Sequence, residues 1–109
     1  MARQDALQGS LPLLLLTLLA RRGPLHGYGI ATQIETMSDE TLRVEEGSLY
    51  PALHRLEETG WIKARWSTTE TGRRARIYEI TAAGRRQLES EEQRWKAITA
   101  AVGKILKHA

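Results

Sequence analysis

Residues 11–20 read LPLLLLTLLA and run straight into Arg21 and Arg22, and no other segment restricts the fold of this chain so sharply. A helix that crosses a bilayer needs about 20 apolar residues. This run offers roughly half of that before charge resumes, so no membrane partner is expected. A secretory signal would need a basic start and a small-residue cleavage site. Asp5 weakens the first, and Arg21-Arg22-Gly23-Pro24 stands where the second should be. The run is therefore expected to be a helix inside a fold, with Ser10 capping its start, Pro12 in its first turn and Gly23-Pro24 stopping it. Leu11, Leu14, Leu15, Leu18 and Leu19 fill one side, while Leu13 and Leu16 put apolar bulk on the other. A helix apolar all round must be covered all round. With 109 residues, the size of one modest domain, a second chain is the expected source of half that cover.

The remaining segments separate by their periods. Residues 28–37 place Ile30, Ile34 and Met37 on one helical face, after His26-Gly27 and before a Ser38-Asp39 break. Residues 48–59 carry Leu49, Leu53 and Leu56 at helical spacing, with Ser48 as cap, Pro51 in the first turn and Gly60 as terminator. The period then changes to two. Ile62, Ala64 and Trp66 alternate with Lys63, Arg65 and Ser67, TTETG turns the chain, and residues 77–81 run extended again. Thr81 caps a long last helix in which Leu88, Trp95 and Val102 recur every seven residues, with Ile98 and Ile105 between them. Residues 42–44, LRV, are expected to add a short strand beside the hairpin. The expected fold is mainly α with a small β-hairpin wing, an α+β winged helix-turn-helix over residues 1–81, followed by a dimerisation helix over residues 82–109.

Charge adds a location. Residues 1–60 carry five Lys/Arg against eight Asp/Glu, whereas residues 61–76 carry Lys63, Arg65, Arg73, Arg74 and Arg76 against Glu70 alone. A hairpin tipped by Gly72-Arg73-Arg74 suits a nucleic-acid phosphate, because guanidinium groups fork onto phosphates and glycine permits close approach. The alternative is a solvated charged edge strand that resists aggregation. The third helix shifts the balance toward DNA, since its outward face offers Ser48, Tyr50, His54 and Arg55 where a recognition helix makes its groove contacts.

The segments LHGYGI, GSLYPALHRLEETGWI and TGRRARIYEITAAGRRQL together resemble the PadR family of bacterial transcriptional regulators, from about residue 11 to residue 88. The pairing of LYPALHRLE with GRR, Tyr78 and the IT that follows is specific to that pattern. The resemblance implies a homodimeric repressor on an inverted-repeat operator in double-stranded DNA, with the C-terminal helix exchanged onto the partner's first helix. It implies that the tyrosines of HGY and SLYP, here Tyr28 and Tyr50, lie near DNA phosphates. The expected DNA-binding set is Gly27, Tyr28, Ser48, Tyr50, Pro51, His54, Arg55, Lys63, Arg73, Arg74 and Arg76. Gly29 departs from the family, which shows a better helix former there, so the second helix is expected to fray or to sit closer to DNA. The single C-terminal helix resembles the shorter branch of the family.

The expected dimer interface comprises Leu11, Leu15, Leu88, Trp95, Ile98, Val102 and Ile105. Trp95 lies on the seam, where two indoles facing across a two-fold axis would make a slot for a small aromatic effector, and ordinary dimer packing is the alternative. Trp61 and Trp66 are expected to pack the hairpin onto the third helix. His26 and His54 lack a third ligand at helical spacing, and His108 belongs to the tail, so no metal or other cofactor is expected. Cysteine is absent, which excludes disulfides, thiolate metal sites and thiol nucleophiles and suits a reducing, cytoplasmic setting. No nucleophile is paired with a base and no carboxylate dyad occurs, so the chain is not expected to be an enzyme. A winged helix that binds protein and no nucleic acid remains the alternative reading.

Overall fold

The leucine-rich helix lies at the centre of the structure, and the other elements are arranged to cover it. A computed structural model describes residues 2–109, with side chains from residue 9 onward. The order is α1 (Ala2–Arg22), β1 (Leu25–His26), α2 (Gly27–Met37), α3 (Glu46–Glu58), β2 (Ile62–Thr68), β3 (Arg74–Ile80) and α4 (Ala82–His108). The expected winged helix-turn-helix is borne out: three helices carry a hairpin, and a long helix follows.

Several expectations about α1 are corrected. The helix begins well before Ser10, so Ser10 is not its cap and Pro12 lies in its interior. Leu11, Leu15, Leu16 and Leu19 are all at most 2% exposed, and Leu18 is buried as well. Ile30 and Ile34 of α2, Leu49, Leu53 and Leu56 of α3, Ile62 and Ile80 of the hairpin and Leu88 of α4 share their core. Leu13 and Leu14 are partly buried against it. One chain thus supplies most of the cover that a second chain was expected to bring. Leu11, Leu15 and Leu88, three of the residues expected at a dimer interface, are buried in this core.

The α3 boundaries also move. Its N-cap is Glu45, with no side-chain cap bond, and Ser48 sits inside the first turn. Its C-terminus follows the sequence pattern closely. Gly60, at φ +82°, takes the left-handed position where a Cβ would be strained. Its N–H donates to the Glu57 carbonyl and that of Trp61 donates to the Leu56 carbonyl, so two carbonyls at the helix end are satisfied.

The sheet has the order β1-β3-β2, antiparallel throughout. Its third strand is Leu25–His26, paired with Tyr78 and Ile77. Residues 42–44 form no strand, although Val44 is buried and Leu42 packs against the core. Within the hairpin, Ile62 lies opposite Ile80 and Ala64 opposite Tyr78, which makes the inward face of the base apolar. Gly72, at φ +83°, lets the chain reverse between the strands.

Thr81 joins the hairpin to α4 through both sides of its hydroxyl. The Oγ1 accepts a hydrogen bond from the Gly84 N–H at 3.1 Å, capping the helix, and donates to the Gly60 carbonyl at 2.7 Å. Gly84 is buried, and a Cβ there would overlap the Trp61 carbonyl oxygen and crowd Ile80. A backbone carbonyl cannot swing aside. Gly84→Ala should therefore cost about 3 kcal/mol, whereas Gly47→Ala, with nothing within 4 Å of its Cβ, should stay within about 1 kcal/mol of the parent. Urea unfolding of the two variants measures the difference.

Candidate nucleic-acid interface

Three elements border one open groove of about 550 Å³: the start of α2, the outer stripe of α3 and the inner face of the hairpin. The start of α2 is built by His26, whose backbone is extended and whose Nδ1 accepts from the Gly29 N–H at 3.0 Å. That bond assigns the histidine a cap role. It also accounts for Gly29, because a Cβ there would lie 3.3 Å from the His26 ring. The helix runs unbroken from Gly27 to Met37, so the expected fraying is not seen. Tyr28 stands 75% exposed at this end, stacked on His26 with ring centroids 6.3 Å apart.

From α3 come Tyr50, His54 and Glu57, spaced so that they fall on one helical stripe. Tyr50 leans over the start of α2. A Cβ on the buried Gly27 would come within 2.6 Å of the Tyr50 Oη, so the tyrosine ring occupies space that only glycine leaves open. His54 is exposed and lies 3.8 Å from Glu58, one turn on.

Alternate residues of the hairpin supply the far wall. Arg74, Arg76 and Tyr78 of β3 share a face, and Trp66 of β2 sits directly opposite Arg76. Trp66 is 58% exposed, which corrects its expected core role. Its ring is covered by two guanidiniums, Arg74 at 4.9 Å and Arg76 at 5.9 Å from its centroid. The Arg76 Nη2 donates to the Glu57 Oε2 at 2.9 Å, tying the hairpin to α3. Tyr78 is buried beneath, and burial pushes its phenol above the ordinary value, with the Arg76 charge opposing that shift. Trp61, at the hairpin base, packs partly buried against the core.

Gly27, Tyr28, Tyr50, His54, Arg74 and Arg76 of the expected DNA-binding set thus meet in one groove. Pro51 and Arg55 are exposed on α3 outside it, and Ser48 is half-buried in the first turn. Arg73 is exposed at the hairpin tip, where the Thr69 Oγ1 accepts from its N–H. Lys63 faces the opposite side of the hairpin, across from Glu79. Sequence reasoning missed Glu57, Trp66 and Tyr78. Glu57 continues the Tyr50 and His54 stripe, and Trp66 follows from hairpin register, so both signals were present. Among the described residues no group of three His, Asp or Glu gathers to hold a metal ion, and no helix is long and apolar enough to cross a membrane.

The helix starts differ in charge. No acidic residue occupies the first turn of α2, whereas α3 opens with Glu45 as cap and Glu46 behind it, both exposed. Anions are attracted by the exposed N–H groups and dipole of a helix start. Carboxylates at the start of α3 offset that attraction, and the start of α2 carries no such offset.

A second cleft of about 500 Å³ lies between α1 and α4, bordered by Ser10, Leu13, Glu91, Arg94, Trp95 and Ile98. Glu91 is buried and bonded by Arg94. Beyond it Trp95, Ile98, Val102 and Ile105 are each about half exposed or more, and every residue from 93 to 109 is exposed.

Comparison with known proteins is consistent across sequence and structure. A family model described as the transcriptional regulator PadR-like family matches residues 15–90. A transcriptional regulator from Clostridium thermocellum superposes with a TM-score of 0.83 at 31% identity, covering 92% of this chain and 96% of its own. A PadR family transcriptional regulator from Eggerthella lenta superposes with a TM-score of 0.79 at 28% identity, covering 97% and 89%. A transcriptional regulator of Mycobacterium tuberculosis is 35% identical over 69 residues, which are 63% of this chain and 61% of that protein.

The Gly27 contact yields a direct test of the groove. Gly27→Ala should displace the Tyr50 ring, lower affinity for duplex DNA about tenfold, and move the melting temperature by only a few degrees, because Tyr50 is 42% exposed and free to swing outward. Fluorescence anisotropy with a labelled duplex and a thermal melt measure the two effects.

Proposed function

Because the chain belongs to the PadR-like family of transcriptional regulators and is a DNA-binding regulator, we propose that it acts as a homodimeric repressor on an inverted-repeat operator. One observation carries the reading: Tyr28, Tyr50, His54 and Arg74 border a single exposed groove between the start of α2, α3 and the hairpin. In this reading α3 enters the major groove, with His54 and Arg55 at base edges, while Tyr28, Tyr50, Arg73 and Arg74 hold phosphates. The Gly27 N–H at the start of α2 and the Ser48 hydroxyl in the first turn of α3 complete the backbone contacts.

Homodimerisation is supported by α4. A helix of 27 residues is about 40 Å long, and every residue of its last 16, 93–108, is exposed. Trp95, Ile98, Val102 and Ile105 follow a heptad-like spacing that suits a paired helix. The revised interface therefore rests on these four, without Leu11, Leu15 or Leu88.

An effector reading also has a specific observation behind it. The cleft beside Trp95 is half-open in a single chain, and a flat aromatic molecule would stack on the exposed indole. Its binding would change the angle between two heads and so release the operator.

Two measurements test these proposals. The intact protein should sediment as a dimer and bind duplex DNA with a steep salt dependence, and Arg73→Ala or Arg74→Ala should each reduce the slope of log K against log salt by about 0.9. An unchanged slope in both variants would take the hairpin out of the interface. Titration with planar dyes should quench indole emission in the parent and not in Trp95→Ala, and equal quenching in both would place the dye elsewhere.

A further inference from the structure

We infer that Glu57 and Arg76 form a positioning clamp that sets the angle between α3 and the hairpin, and that Arg76 acts inside the protein, leaving the phosphate contacts of the hairpin to Arg73 and Arg74. The inference rests on the DNA-binding reading above and assigns roles within its groove. The hairpin is anchored at its base, where Ile62 and Ile80 are buried, but it becomes polar and exposed toward residues 68–74. A two-stranded ribbon projecting from a small core bends readily. A side-chain tie partway along it therefore has leverage over where the tip lies.

Arg76 is suited to that tie, and one of the two edges by which it could grip a phosphate is spent on it. Its Nη2 is bonded to the Glu57 carboxylate at 2.9 Å, across 19 residues of chain. Its Nε is buried without a hydrogen-bond partner. A guanidinium can grip a phosphate through either of two pairs of parallel N–H groups, and the pair formed by Nε and Nη2 is here sealed on one side and occupied on the other. Both partners are partly withdrawn from water, at 40% exposure for the arginine side chain and 24% for the glutamate. A pair in such surroundings is screened less than a surface pair, and removing one member leaves the other charge half-buried.

Trp66 extends the clamp. It lies opposite Arg76 in the hairpin register, and its ring carries Arg76 at 5.9 Å and Arg74 at 4.9 Å. The Arg74 side chain is exposed and, among the described residues, makes no hydrogen bond or ion pair. Fixing Arg76 fixes the indole, and the indole supports the aliphatic stem and charge of Arg74. Glu57 is thus a specificity-determining position although it is acidic and stands beside a surface built for phosphates. Simple charge counting gives the opposite sign, since neutralising Glu57 should tighten every duplex.

The test uses the intact protein with two duplexes: one selected by the parent from a randomised pool, and one of the same length and composition with its order scrambled. The parent should prefer the selected duplex. Glu57→Ala should cut that preference about tenfold, and Glu57→Gln, which keeps an acceptor for Arg76, should fall between the two. Arg76→Ala should match Glu57→Ala in preference while leaving the salt slope within about 0.3 of the parent, against a loss of about 0.9 in Arg74→Ala. Should Glu57→Ala unfold more easily, the Gln variant and the Arg76 salt slope still decide. The inference fails if both Glu57 variants tighten both duplexes equally with the preference intact, or if Arg76→Ala loses as much slope as Arg74→Ala. A parent that binds neither duplex in a salt-dependent way would overturn the DNA-binding reading itself, and the clamp with it.

Discussion

The burial of one row of leucines governs this structure. Leu11, Leu15, Leu16, Leu18 and Leu19 are taken out of water by contributions from every other helix and from the hairpin. At about 2 kcal/mol for each leucine, their transfer is worth on the order of 10 kcal/mol, which is as large as the whole net stability of a typical domain. The head therefore has no stable form without α1. The elements that border the groove hang on that helix: α2 through Ile30 and Ile34, α3 through Leu49, Leu53 and Leu56, and the wing through Ile62 and Ile80. Their opposite faces are left free for polar work, and those faces make the groove.

The groove in turn depends on glycine at two close approaches. Gly27 admits the Tyr50 ring over the start of α2, and Gly84 admits the Trp61 carbonyl under the start of α4. One sets how closely α2 and α3 stand, the other how the long helix leaves the wing. Charge is distributed to match. The head carries more acid than base, while the hairpin concentrates arginine, and the carboxylates that open α3 discourage phosphate at that helix start. In the proposed reading, phosphate attraction is divided between the start of α2 and the wing, on either side of the α3 stripe, as a helix lying in a groove between two backbone strands requires.

Most of the fold was legible because its elements are long enough to show a period. The i, i+4, i+7 leucines of α3, the alternation of β2 and the Thr81 cap all appear where the sequence pattern puts them. What escaped has physical reasons. A strand of two residues has no period, so Leu25–His26 was invisible while the apolar residues 42–44 suggested a strand that is absent. The uncapped start of α3 at Glu46 was hidden by the better cap, Ser48, two residues on. Alternation shows which hairpin residues share a face but not where the cover ends. Trp66 lies on the inward face, yet beyond the reach of the core, so two arginines cover it in place of leucine. Leu16 failed in the other direction, because the count of apolar positions on α1 could not reveal how completely one small chain wraps it.

The long helix reaches beyond what a single chain can support. Glu91 is its last buried residue, and the 16 helical residues from 93 to 108 are all exposed. An isolated helix of that length is marginal in water unless its apolar face is packed, and the face here includes an indole and two isoleucines. In the proposed homodimer the order of this segment and the separation of the two heads become one variable, because the residues that bury the seam also set where each Thr81 and its wing stand. Any molecule that enters beside Trp95 acts on that variable at its most sensitive point, close to where cover by the chain's own core gives out. Its leverage would come from the bare length of helix beyond it, not from the affinity of the cleft alone.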